Sequence, residues 1–178
     1  MTAKNVHKTR QITSSELALR DALRHDDLFR YVIGSDGIIV YHGSIHANLT
    51  FRQLENHDTF LTTDIELAKA YSSNFSTAMS YDLAEGIIFQ TNPKYAPSLY
   101  TVKIIPGTVL SLTLQDYGNG NSDGFVSFTG VDNLCFAINN VDRLKIISEQ
   151  RVKKPANADA PEPEYLKCEI RGLAPYKP

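Results

Sequence analysis

The chain has 178 residues, 42% of them hydrophobic and 21% charged, enough for one ordinary domain with a real core. A formal net charge of -2 removes any global electrostatic drive toward nucleic acid. Met1–Thr13 is polar and lacks the apolar stretch of a secretory signal, and no apolar run approaches the roughly 20 residues that span a bilayer. The expectation is a soluble protein made in a cytoplasm, with no membrane partner; delivery into another cell would leave no trace in such a sequence.

In chain order, residues 1–13 are expected to be flexible. Thr13-Ser14-Ser15-Glu16 has capping-box spacing, and Leu19, Ala22 and Leu23 continue a helical stripe to about Tyr31. A turn at Gly34-Ser35-Asp36-Gly37 follows. Ile38–Tyr41 is short, apolar and rich in β-branched residues, so it predicts a buried strand with Ile38, Val40 and His42 on one face. Thr63-Asp64-Ile65-Glu66 repeats the capping pattern and starts a second helix, on which Tyr71 follows the apolar Leu67 and Ala68.

Leu99–Leu114 predicts one or two strands around Pro106-Gly107, and Tyr117–Gly124 a mobile glycine-rich loop. Phe125–Phe128, Leu134–Ile138 and Leu144–Ile147 are further strands, residues 153–164 a connector, and Tyr165–Ile170 a last strand. With helices early and strands late, the class is α+β, in a single domain over residues 1–178. Cys135 and Cys168 match no metal spacing and are read as buried free thiols rather than one disulfide.

The chemistry concentrates in Tyr41-His42-Gly43-Ser44 and in Phe60–Tyr71. A glycine after a polar strand-end residue lets a backbone approach a ligand closely. His42 can bond a ribose hydroxyl through either ring nitrogen. Taken alone, such a tetrapeptide is more often a plain strand-to-loop turn. Phe60 and Tyr71 stand eleven positions apart. With one closing a strand and the other two turns into the next helix, their faces would sandwich a flat cationic ring, at a separation of about 7 Å. For any isolated aromatic, a place in the core is the commoner outcome.

Together these stretches resemble the ADP-ribosyltransferase superfamily, nearest to its His–Tyr–Glu branch of diphtheria-toxin-like enzymes and poly(ADP-ribose) polymerases. The likeness covers about Gly37 to Ser73 and implies a split β-sheet core with an N-terminal helix and short helices. It implies that Tyr41, His42, Gly43, Ser44, Phe60, Thr62 and Tyr71 bind NAD+, the co-substrate, with no metal. His42 and Gly43 would orient the dinucleotide; Phe60 and Tyr71 would clamp the nicotinamide. Phe60 stands where the family usually has tyrosine.

The resemblance also implies a glutamate at the start of a late strand, to stabilise charge on the reacting ribose. Here Asp132 and Asn133 precede Leu134–Ile138, and they are the candidates for that role beside His42 and Tyr71. Glu149, taken to follow the next strand, and Glu85 fit less well. The glycine-rich loop would present a protein or nucleic-acid acceptor, with Tyr117 and Asp123 as candidate contacts. A non-catalytic relative that binds a nucleotide, an ADP-ribosylated ligand or a protein is the alternative. A third reading within the same superfamily, an RNA 2′-phosphotransferase, would want a second histidine and an arginine that this sequence does not offer at alignable positions. His7, His25, His46 and His57 form no metal spacing.

Overall fold

The computed structural model describes residues 10–44, 47–51, 58–73 and 97–152. His7, His46, His57, Glu85, Cys168, the 153–164 connector and the Tyr165–Ile170 strand lie outside the described residues, as do residues 1–9.

The α+β expectation holds. Eight strands form one mixed sheet: β1 Arg30–Val32, β2 Ile38–Ser44, β3 Thr59–Thr62, β4 Ser98–Ile104, β5 Val109–Ser111, β6 Gly124–Thr129, β7 Asn133–Ile138 and β8 Leu144–Arg151, in the order β1-β5-β6-β7-β3-β2-β4-β8. β5 and β6 run parallel, and the other neighbours are antiparallel. The helices are α1 Ser14–Ala22, α2 Ile65–Ser73 and α3 Leu114–Gly118.

Alternation along the strands sorts the side chains onto two faces. The lower face carries the main core, in which Ile38, Val40, Val102, Leu134 and Ile138 are fully buried and Leu19 of α1 packs against them. Each such side chain contributes about 1.5–3 kcal/mol on removal from water. The upper face carries α2, whose Ala68 packs with Tyr41 and Leu99.

α1 stops nine residues short of the expected Tyr31. After Leu23 the sequence Arg24-His25-Asp26-Asp27 offers nothing to continue the buried stripe. Tyr31 instead enters β1 opposite Leu110 and donates its hydroxyl to the Ser15 carbonyl at 3.2 Å. Thr13 caps α1 as expected, accepting from the Glu16 amide at 3.2 Å. Glu16 does not close the capping box. Its carboxylate is fully buried between Arg10 and Arg20, which also reach the carbonyls of Ile39 and Asp132. Burial pushes this carboxyl up, but bonds and charges from Arg10 and Arg20 together hold it below the usual range.

α2 begins where the sequence predicts, with a different residue as its cap. Asp64 Oδ1 accepts from the amides of Glu66 and Leu67 at 2.9 and 3.2 Å. Thr63 is diverted to the sheet, where its hydroxyl accepts from the Leu134 amide at 2.8 Å. Glu149, expected to follow the Leu144–Ile147 strand, lies within β8 opposite Tyr100. Tyr117 and Gly118, expected in a loop, belong to α3, capped by Thr113. Among the described residues no helix is long and apolar enough to cross a membrane.

Candidate functional site

β2 and β3 pair at one position, Tyr41 with Thr62. Beyond it the strands part, while β2 stays paired with β4 through Ser44 and β3 stays paired with β7 from Thr59. The sheet is therefore continuous but opened beside His42–Ser44.

His42 fills this seam. Its side chain leaves the lower face of β2, packs edge-on against Phe51 at 5.6 Å, and places Nδ1 2.8 Å from the Phe60 carbonyl oxygen. A carbonyl only accepts, so Nδ1 carries the proton and Nε2 is left as an acceptor in the neutral ring. Desolvation lowers the imidazole pKa, with the Phe60 bond opposing it, so the neutral form holds at neutral pH.

Gly43 has a different use from the one its sequence position suggests. A Cβ there would collide with the Ala68 carbonyl and come within 2.9 Å of the Ser72 amide nitrogen. The close approach permitted by glycine is made by α2 of the same chain. Tyr41, on the same face, is packed under α2, and burial raises its hydroxyl pKa despite the nearby charges of Arg10 and Lys69. Ser44 pairs with Ser98.

Strand register places Phe60, Thr62 and Tyr41 on the upper face with α2. Phe60 is 50% exposed. Thr62 is buried and accepts from the Asp64 amide at 3.0 Å. Tyr71 sits partly buried on α2, one turn beyond Ala68. Phe60 and α2, which carries Tyr71, therefore belong to the upper face, whereas the His42 ring lies on the opposite, lower face beside Phe51 and Tyr100, so the three are not brought onto one face.

The floor beside Phe60 runs across β7 and β6: Ala137 and Phe125 opposite Phe60, then Cys135 and Ser127 level with Thr62, then Asn133 and Thr129. Cys135 is partly exposed rather than buried and forms no disulfide. Asn133 stands four positions from Ala137, about 13 Å along the strand, and its amide donates to Asp64 Oδ2 at 3.1 Å. Asp132 is exposed in the β6–β7 turn, its carbonyl held by Arg20. Among the described residues no group of three or more His, Cys, Asp or Glu side chains could hold a metal ion.

The far wall of the floor is α3. Tyr117 stacks obliquely on Phe125 at 5.9 Å and donates its hydroxyl to Asp58 Oδ1 at 2.6 Å, just before β3. Burial, then the Asp58 carboxylate, push the Tyr117 hydroxyl above its ordinary range, so it remains a donor. Asp123 is turned inward, accepting from the Val109 amide at 2.9 Å and the Asn140 amide at 2.7 Å. Neither residue presents its polar atom outward as an acceptor contact would. The Tyr117–Asp58 pair and the partly exposed thiol were not visible in the sequence, because both depend on how segments distant in the chain are brought together. Compared with family models, curated proteins and solved structures, the chain matches none.

Proposed function

We propose that the upper face between α2 and α3 binds oxidised nicotinamide adenine dinucleotide, and that the chain transfers ADP-ribose to a protein or nucleic-acid acceptor. The observation that carries this reading is the parting of β2 and β3 after Tyr41, with the half-exposed Phe60 of β3 and α2, which carries Tyr71, on the same face of the sheet. An exposed phenylalanine face suits a flat cationic ring. The His42 Nε2 lone pair suits a ribose hydroxyl, which can donate to it. These features fit the split-sheet ADP-ribosyltransferase fold that the sequence resembles. In the transfer, the bond between ribose C1′ and the nicotinamide nitrogen breaks with its electron pair leaving on nicotinamide. The acceptor nucleophile bonds to C1′ and loses its proton.

One observation favours a second reading, a non-catalytic dinucleotide-binding or protein-binding module. At the start of β7 the carboxylate of Asp132 lies in an exposed turn, and Asn133 carries no charge. The test is nicotinamide release from labelled dinucleotide. The enzyme reading expects release by the wild type, reduced about tenfold or more in His42→Ala, as for loss of one hydrogen bond to a bound sugar. Loss in Asp132→Ala but not in Asn133→Ala assigns the charge-stabilising role to Asp132. Saturable binding with no release selects the dinucleotide-binding module, and no binding at all ends every dinucleotide reading and leaves the protein-binding one.

A further inference from the structure

We infer that Tyr117 is a positioning residue of this cleft: its hydroxyl ties α3 to the start of β3 and so holds Phe60 in place for a ligand. The inference takes the identity of that ligand from the dinucleotide reading; the mechanical part stands on geometry alone. Asp58 is two residues before Phe60, where the chain enters β3. On its β2 side, β3 is paired only at its other end, at Thr62. On that side, among the described residues, the approach to Phe60 therefore lacks backbone ladder bonds and is held by the His42 Nδ1 bond to the Phe60 carbonyl. The Tyr117 hydroxyl supplies a tie at that point, 2.6 Å from Asp58 Oδ1.

The tie is only as good as its anchor, and α3 is a short helix of five residues. It is fastened at the other end by Asp116, which accepts from Arg30 at 2.7–2.9 Å and from Ser111 Oγ at 2.6 Å. The Tyr117 ring is braced on Phe125, whose β6 position lies opposite Ala137, itself opposite Phe60. The path from Arg30 to Phe60 is thus continuous: β1, α3, the hydroxyl, then the start of β3. An outward-facing Tyr117 would have spoken for acceptor recognition, but its hydroxyl is spent inside the fold.

The test uses hydrogen exchange in the full chain, read on the peptide covering Asp58–Thr62, with the Ser98–Ile104 peptide of β4, which pairs with β2 and β8 and not with β3, as internal control. Tyr117→Phe removes the hydroxyl and keeps the ring on Phe125. Exchange of the β3 peptide is expected to rise roughly fivefold, the population change that one lost hydrogen bond allows, with the control peptide unchanged. Asp58→Ala should do the same, and Asp58→Asn, which keeps an acceptor oxygen, should not. Dinucleotide Kd, or KM with kcat preserved, is expected to rise by a similar factor in the first two variants only. Unchanged β3 exchange in Tyr117→Phe overturns the inference, as does an equal rise in both peptides, which marks a general loss of stability. Should the wild type bind no dinucleotide, the functional reading falls while the exchange result still decides whether Tyr117 holds β3.

Discussion

The two faces of one sheet carry opposite chemistry. On the lower face of β7, Leu134, Phe136 and Ile138 are at most 1% exposed and sit in the main core. On its upper face, Asn133 and Cys135 remain partly open, and neighbouring β3 leaves Phe60 50% exposed. Adjacent residues of one strand thus divide between the closed core and a partly open upper side. The same strand geometry serves both, and what differs is whether a second layer covers the side chains. α2 covers β2 and β4, and beside Phe60 the upper face is closed as well, with Ala137 1% and Phe125 6% exposed, so the partly open stretch is that of Cys135 and Asn133.

The largest effect expected from this contrast is on the lower face. Phe136→Ala should cost about 3–5 kcal/mol of stability in denaturant unfolding, the range for a truncated buried aromatic. Cys135→Ser, one residue earlier and on the other face, should stay within about 1 kcal/mol. Equal costs would break the division between the faces.

Next in size is the buried ion group below α1. Glu16→Gln leaves Arg10 and Arg20 facing no carboxylate and should cost about 3 kcal/mol. The folded pKa of Glu16 is lowered, so its contribution is fully present above the unfolded carboxyl pKa. That contribution is lost as pH falls through the folded value. Acid unfolding of the wild type should therefore be steeper than that of Glu16→Gln across this window, followed by circular dichroism.

Gly43→Ala should be smaller, about 1–3 kcal/mol, because α2 has to shift from β2 to admit the methyl group. A neutral substitution would mean that α2 stands further from the strand than the packing of Ala68 and Ser72 implies. The smallest stability change belongs to Phe60→Ala, within about 0.5 kcal/mol for a half-exposed ring, yet it should have the largest effect on ligand binding.

The lower face was the more legible of the two in the sequence. Ile38–Tyr41, Leu134–Ile138 and the paired runs around Pro106-Gly107 announce their strands through β-branched and alternating residues, and all three form. α1 was overextended because propensity and a partial stripe said nothing of the pull of Tyr31 toward β5. The seam was half legible. The aromatic spacing from Phe60 to Tyr71 put both residues on elements of one face, but nothing local told that β2 and β3 would part after Tyr41. Gly43 was read as room for a ligand, and the room is taken by Ala68. Tyr117–Asp58 and Asn133–Asp64 join residues 59 and 69 positions apart, beyond the reach of any local pattern.

The central claim is that the exposed ring of Phe60 belongs to a dinucleotide cleft. Calorimetric titration of oxidised nicotinamide adenine dinucleotide into the wild type and into Phe60→Ala tests it most directly. One saturable site, weakened about tenfold by the substitution while the melting temperature is unchanged, is the predicted result, the size expected for loss of one stacked ring. Binding of equal strength in both proteins, or none in the wild type, would contradict it.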